Sequence, residues 1–258
     1  MEAWRQNFSQ GAHALSPQYT KWKDWWFPVW DQHFIQHMKS KGDSTYQERA
    51  RRRAIELVNS NNLTGNIGGI TCIDVGANVG LWARDFAKNF LYVKAFEPIL
   101  DNRICFARNM PSRGEETAIW DLYPFALGSK PGKNDAFYID PSCCGNAGLS
   151  AEGVRNGPSK LKPTELKVIN VEIRTLDSFK FQGVDLIKID AEGSEHDVIL
   201  GALETIKKFK PVLCLELPTR NAFDQQKFDQ VKKSLEPLDY KLVDTIGKDT
   251  LWQTRSRK

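Results

Sequence analysis

The chain has 258 residues, 41% of them hydrophobic and 26% charged, with a formal net charge of +4. This is ordinary globular composition, long enough to bury a sizeable core, and it fits one α/β domain with an N-terminal extension better than two small domains. A dedicated nucleic-acid domain is usually more basic than this, and no run of 18 apolar residues points to a membrane.

Residues 1–44 are aromatic-rich, with Trp4, Trp22, Trp25, Trp26, Phe27, Trp30 and Phe34. They are expected to pack as a helical extension over the core, because aromatic side chains carry large burial area. The sharper reading is a lid over an active site or a base-stacking surface. His33 and His37 lie one helical turn apart. That spacing permits shared metal ligation, but no nearby carboxylate motif supports it, and no metal site is assigned. Residues 45–60 read as a helix whose stripe of Ala50, Ala54, Leu57 and Val58 runs beside Arg49, Arg51, Arg52 and Arg53. The arginine run reads as a solvated face, with nucleic-acid contact as its rival.

From residue 70 the pattern alternates. Ile70–Val75, Tyr92–Phe96 and a segment within Thr117–Leu127 read as strands, with helices over Leu81–Phe90 and Ile99–Met110 between them. This order implies a parallel sheet. Residues 140–165 are rich in Gly, Ser, Asn and Pro and read as a long loop, a length that is uncommon unless functional or disordered. Lys167–Arg174 alternates like a strand with one exposed face. Val184–Asp190 and Pro211–Glu216 are buried strands, separated by a helix over Asp197–Phe209 with Ser194 as its expected N-cap. Asp224–Leu235 is an amphipathic helix, and Lys241–Thr245 with Thr250–Gln253 are expected as antiparallel strands.

Five cysteines show no zinc or Cys-x-x-Cys spacing. Reduced thiols and a cytoplasmic protein are expected. A bond between the adjacent Cys143 and Cys144 would be strained and is the lesser reading. The opening MEAWRQNFSQ carries no apolar signal stretch, so nothing points to secretion.

Two segments carry chemistry. In IDVGANVG, residues 73–80, Asp74 enters a glycine turn between a strand and a helix. Gly76 takes a backbone conformation that other residues resist, and Gly80 allows close approach. Such a turn places a ligand at the carboxyl edge of the sheet. Glu97 ends the next strand, where an acidic residue commonly accepts hydrogen bonds from ribose hydroxyls. The spacing is neither Gly-x-Gly-x-x-Gly nor a Walker loop. A carboxylate beside the turn suits a cationic sulfonium better than a pyrophosphate, which favours S-adenosylmethionine over NAD. In DLIKIDAEGSEHDVILGA, residues 185–202, alternation puts Lys188 and Asp190 on one strand face, with Asp190 at the carboxyl end. Glu192 and Gly193 form the turn. Lys188, Asp190 and Glu192 are the candidate catalytic group: Asp190 orients or deprotonates a hydroxyl, and Lys188 holds Asp190 ionised or lowers the acceptor's pKa. Glu216 ends the following strand as a third carboxylate. Asp190, Glu192 and Glu216 could collect a magnesium ion, but their spacing is not diagnostic.

IDVGANVG, VKAFEP (93–98), IRTLDSF (173–179), the stretch from 184 to 202 and VLCLEL (212–217) together resemble the FkbM family of methyltransferases. The resemblance implies a Rossmann-like methyltransferase fold, a mostly parallel seven-stranded sheet with helices on both faces. It implies S-adenosyl-L-methionine as methyl donor and a hydroxyl of a sugar, glycan or other small metabolite as acceptor. By match of motif, Asp74, Gly76, Asn78, Gly80, Glu97 and Asp190 would bind the cofactor, and Asp190 and Glu192 would line the acceptor site. Residues 1–60 and 141–165 match no part of the pattern. The domains are therefore read as a 1–60 extension or lid and a 61–258 methyltransferase domain. An RNA or cap 2′-O-methyltransferase is the main alternative and a non-catalytic cofactor-binding scaffold the lesser one.

Overall fold

A computed structural model of the chain describes residues 18–42, 46–61, 71–111, 118–155, 162–219 and 221–254. Trp4, Ile70, Thr117 and residues 156–161 of the predicted loop lie outside these. The described residues begin with a hairpin of β1 (Tyr19–Trp22) and β2 (Trp25–Pro28), followed by α1 (His33–Lys41) and α2 (Glu48–Asn61). Next come β3 (Thr71–Val75), α3 (Ala83–Phe86), β4 (Tyr92–Phe96), α4 (Leu100–Asn109) and β5 (Ile119–Tyr123). A smaller unit holds β6 (Ala126–Leu127), β7 (Gly132–Ile139), β8 (Ala147–Gly148), α5 (Ala151–Arg155) and β9 (Lys167–Arg174). The last third contains β10 (Leu186–Ile189), α6 (Glu195–Leu200), α7 (Leu203–Phe209), β11 (Val212–Glu216), α8 (Ala222–Leu235), β12 (Tyr240–Ile246) and β13 (Asp249–Thr254).

The main sheet has seven strands in the order β12-β13-β11-β10-β3-β4-β5. The run from β11 to β5 is parallel, and β13 alone runs against its neighbours β11 and β12. Strand alternation divides the core into two layers. Cys72, Leu186, Val212 and Cys214 face α2, α3 and α4, whereas Ile73, Val75, Ile187, Ile189, Leu213 and Leu215 face α6, α7 and α8. Burial on both faces explains why these strands read as continuous apolar runs. Among the described residues, no helix is long and apolar enough to cross a membrane.

Five features differ from the sequence expectation, and the first is the helix expected over Leu81–Phe90, which is reduced to the four residues of α3. Among its described residues, the extension is helical only over α1 and α2; before them lies the β1–β2 hairpin, which turns at Lys23 in the left-handed region (φ +49) without a glycine. Asn109 of α4 accepts from the Trp26 amide at 2.6 Å and donates to the Trp26 carbonyl at 3.0 Å, which docks the hairpin on the domain. Phe27, Phe34 and Met38 share one core with Val79, Trp82, Phe86 and Phe106, so the extension has no separate interior. The predicted 140–165 loop contains β8 and α5, and β8 is the edge of a four-stranded sheet ordered β6-β9-β7-β8. The helix expected over 197–209 is split in two. A Cβ at Gly201 would lie 2.1 Å from the Gly128 carbonyl oxygen, so the chain breaks where the β6 end crosses it. Ser194 occupies the N-cap position of α6 but makes no side-chain capping bond.

Candidate active site

The carboxyl ends of β3, β4, β10 and β11 open into a cavity of about 620 Å³. That is within the roughly 300–1,000 Å³ typical of small-molecule sites. Gly76, Asn78, Glu97, Lys188, Asp190 and Glu192 all line it, as does Glu216.

The turn after β3 is built around close approach. Gly76 has φ +73, and a Cβ there would stand 1.9 Å from the Asp190 carbonyl oxygen. Only glycine lets the two strand ends meet. Asn78 is also left-handed (φ +51), a conformation that Asn tolerates better than most residues. Its amide donates to Glu97 Oε2 at 2.9 Å, and the Ile99 amide donates to Oε1 at 2.8 Å. Glu97 is thereby fixed at the end of β4 with lone pairs left for a ligand. Burial pushes its carboxyl up to about 7 against the pull of those two amides. The glycine turn, the anchored carboxylate and the cavity volume fit a nucleoside-bearing methyl donor.

Two residues assigned to cofactor contact lie behind the wall. Asp74 is wholly buried and sits opposite Lys188 in the β3–β10 register. Gly80 (φ +93) faces the Phe106 ring, which a Cβ would meet at 3.2 Å. Neither lines the cavity; they hold the turn in place from the core side. Asp74 shares a sheet face with Lys188 at the same register, so it pairs with its strand neighbour inside the core instead of projecting from the strand end.

Lys188 is buried beneath the floor. Its Nζ lies 3.4 Å from Asp74 Oδ1 and 3.5 Å from Asp190 Oδ2, and donates to the Gly76 carbonyl at 3.2 Å. Burial alone would lower its pKa, but the carboxylates of Asp190 and Asp74 outweigh that and hold it above the ordinary lysine value. Lys188 is therefore a fixed ammonium that ties both strand ends together. Glu192, also left-handed (φ +46), projects from the next turn. Glu195, buried, locks that turn by accepting from the Ala191 amide at 3.1 Å and the Gly193 amide at 2.9 Å. Burial, then Asp190 and Glu216, push the Glu192 carboxyl well above its ordinary value.

Around Glu216 the structure adds Asp249, Lys248 and Gln47, which the sequence pattern does not single out. Glu216 faces Asp249 directly across β11–β13. Lys248 Nζ is 2.9 Å from Glu216 Oε1, and Gln47 donates to Oε2 at 3.2 Å. Burial and then Asp190 push Glu216 up to about 7; burial, then Glu216 and Asp190, push Asp249 up to about 8. The opposite wall comes from the N-terminal extension and the 140s segment. His33, Phe34, His37 and Tyr46 of the extension line it, with Cys144 and Asn146 of the 140s segment. Asp31 joins those segments, accepting from the Cys144 amide at 3.2 Å and the Phe34 amide at 3.2 Å. The two histidines meet aromatic rings, His33 against Phe34 and His37 against Tyr46. Among the described residues, no three His, Cys, Asp or Glu side chains form a metal-holding group. All five cysteines are free and buried, and burial pushes the Cys143 thiol up to about 12. The arginine run is not uniformly solvated: Arg51 points inward, donating to Asp85 at 2.6 Å and to the Tyr46 carbonyl at 2.7 Å.

The family model of the methyltransferase FkbM domain matches residues 74–242, more than half of the chain. Among solved structures, a methyltransferase FkbM from Methylobacillus flagellatus KT is 17% identical with a TM-score of 0.49, over 82% of this chain and 47% of that one. A putative S-adenosyl-L-methionine-dependent methyltransferase from Methanococcus maripaludis is 12% identical with a TM-score of 0.43, over 89% and 95%. A putative methyltransferase from Streptococcus mutans, in complex with SAH, is 11% identical with a TM-score of 0.39, over 78% and 96%. The chain thus spans about half the length of the Methylobacillus protein. No curated protein sequence matches it. The domain match runs from the buried Asp74 through the β10–β11 edge into β12, and the chain belongs to the FkbM methyltransferase domain family.

Proposed function

We propose that the protein is an S-adenosylmethionine-dependent O-methyltransferase acting on a hydroxyl of a sugar, glycan or other small metabolite. The observation that carries this reading is the convergence of Glu97 and Asp190 on one cavity at the carboxyl edge of the sheet. Gly76, Asn78 and Glu97 would hold the donor, with Glu97 accepting from ribose hydroxyls through its free lone pairs. S-adenosylmethionine, when bound, supplies a methyl carbon already activated by its sulfonium. The protein then mainly has to align and desolvate the acceptor. Asp190, held 3.5 Å from the Lys188 ammonium, orients the acceptor hydroxyl and takes its proton. The extension acts as a lid, closing the cavity with His33, Phe34 and Tyr46. Five free thiols suit a reducing cytoplasm. The RNA alternative loses support because Arg51, in the middle of the basic run, is buried against Asp85.

The test is calorimetric titration with S-adenosylhomocysteine. The intact protein is expected to bind in the micromolar range, Glu97→Ala more than tenfold more weakly, and Asp190→Ala almost as well as wild type while losing turnover. Absence of binding by the intact protein would overturn the reading. Equal loss of binding and turnover in Asp190→Ala would remove its catalytic role.

A further inference from the structure

Among the described residues the cavity is lined by six carboxyl groups and three lysine or arginine side chains, and the latter are largely committed. Lys188 is shared by Asp74, Asp190 and the Gly76 carbonyl. Lys248 is taken by Glu216. Arg49 is exposed on α2 and makes no ion pair with the described residues. Two acceptors on the lining stand without a partner among the described residues. Glu192 lines the cavity with neither a hydrogen bond nor an ion pair to any described residue. Asn146 is 1% exposed and lines the same cavity. Its amide nitrogen donates to Asp140 Oδ2 and to the Val154 carbonyl, both at 2.9 Å, and its Oδ1 has no partner. A buried amide oxygen without a donor costs about 1–3 kcal/mol, so a ligand that supplies one is favoured there.

These two groups belong to adjoining strips of wall. A Cβ built at Gly148, two residues past Asn146, would lie 3.3 Å from Glu192 Cβ, and one at Gly145 would lie 3.0 Å from Asn78 Nδ2. The segment thus passes from the donor-side turn to the Glu192 turn. Beside Asn146 lie the rings of Phe34, Tyr46 and His37, packed edge to face, with Phe34 against Gly145. Unpaired acceptors, a carboxyl-rich lining and aromatic rings together suit a cation that carries N–H donors.

We propose that the acceptor carries a protonated amine, seated between Glu192 and Asn146, with the hydroxyl to be methylated directed to Asp190. The chemical class is an amino alcohol or amino sugar. A neutral polyol would leave Glu192 without a charged partner, and an anionic acceptor would meet, among the described lysines and arginines of the lining, a single one outside an ion pair, the exposed Arg49. This inference rests on the O-methyltransferase reading above.

The experiment offers the full chain, with S-adenosylmethionine, a panel of amino sugars and amino alcohols, each as the free amine and as its N-acetyl derivative. S-adenosylhomocysteine formation and product mass are read for each pair. Binding of both forms to protein saturated with S-adenosylhomocysteine is read by calorimetry. The free amines are expected to be preferred at least tenfold, in kcat/KM or in affinity, and Glu192→Gln to lose most of that preference while still binding S-adenosylhomocysteine. Equal treatment of the two forms, preference for N-acetyl or anionic compounds, or no binding of any amine would overturn the proposal. The wild-type comparison decides this even if the variant fails to fold. A methyl group found on nitrogen would keep the amine site and replace the O-methyl reading. Failure of S-adenosylhomocysteine to bind would remove the methyltransferase reading itself, and this proposal with it.

Discussion

Two walls face the same cavity and are built by different means. The wall running from Gly76 to Glu97 and across to Asp190 is made of strand ends and the turns that follow them. Its side chains are placed by register: Lys188 opposite Asp74, Glu216 opposite Asp249. The other wall, from residues 31–42, 46–47 and 143–149, takes only β8 from a strand register. It is held by single long-range contacts, such as Asp31 to the Cys144 amide and Gln47 between Trp82 Nε1 (2.6 Å) and Glu216. The difference teaches where chemistry and specificity can vary independently. A sheet edge cannot change one residue without disturbing its neighbours, whereas a wall of tethered loops can.

The sharpest way to break the contrast is at Lys188. Lys188→Met would leave Asp74 as an unpaired carboxylate in the core and is expected to cost about 3–5 kcal/mol. The double variant Asp74→Asn with Lys188→Met should recover most of this, because no buried charge remains. Urea midpoints at constant m would measure both. A double variant as unstable as the single one would show that packing, rather than charge pairing, sets the cost.

Asp31 is the matching position on the other wall. It is 2% exposed and bonds two amides from different segments. Asp31→Ala is expected to cost about 2 kcal/mol. Its functional signature should be selective: S-adenosylhomocysteine affinity within about threefold of wild type, but acceptor-dependent turnover down more than tenfold. Parallel loss of both would show that the two walls are one mechanical unit, linked through Cys144 Sγ and Asn78 Oδ1 at 3.2 Å.

The same division governs what was legible in the sequence. Gly76, Glu97 and Asp190 could be found because strand period, glycine and a terminal carboxylate are local signals, and a strand end fixes where they point. Asp74 and Gly80 share the motif, but only the register shows that one pairs with Lys188 and the other packs on Phe106. The β1–β2 hairpin was read as helix because its turn rests on Lys23 rather than glycine. Gln47 and Glu192 adopt the same left-handed conformation with no compositional trace. Ser194 looked like the cap, yet the neighbouring Glu195 supplies the bonds that hold the turn. Asn146 and Tyr46 become site residues only through contacts with distant segments, which no local pattern encodes.

A subtler test lies where the sheet edge carries like charges. Glu216 and Asp249 are directly opposed, an unfavourable pairing. Asp249 retains its proton in the folded state up to about pH 8, while in the unfolded chain it titrates near the ordinary aspartate value of 3.8. Between those values the folded state binds more protons, so this group makes stability fall as pH rises from about 4 to 8 and level off above. One differential proton is worth up to about 1.4 kcal/mol per pH unit. Asp249→Asn is expected to flatten that slope and to leave the protein more stable than wild type at pH 8. Parallel urea midpoints from pH 5 to 9 would check it, and an unchanged slope would assign the titration to other carboxylates.

The smallest expected effect concerns the arginines of α2, where one run of sequence serves both kinds of surroundings. Arg53 is half-exposed, 3.2 Å from Asp244 and 3.4 Å from Glu56. Solvent screens such pairs, so Arg53→Ala is expected to change stability by no more than about 0.5 kcal/mol, and less at high salt. Arg51, two residues earlier, is 4% exposed and bonds both Asp85 and the Tyr46 carbonyl. Arg51→Ala should therefore cost at least about 1.5 kcal/mol, and it should also reduce acceptor turnover, because Tyr46 lines the cavity. If the two variants prove equal in stability and activity, Arg51 does not brace the cavity wall through Tyr46, and the extension must be held by its apolar contacts alone.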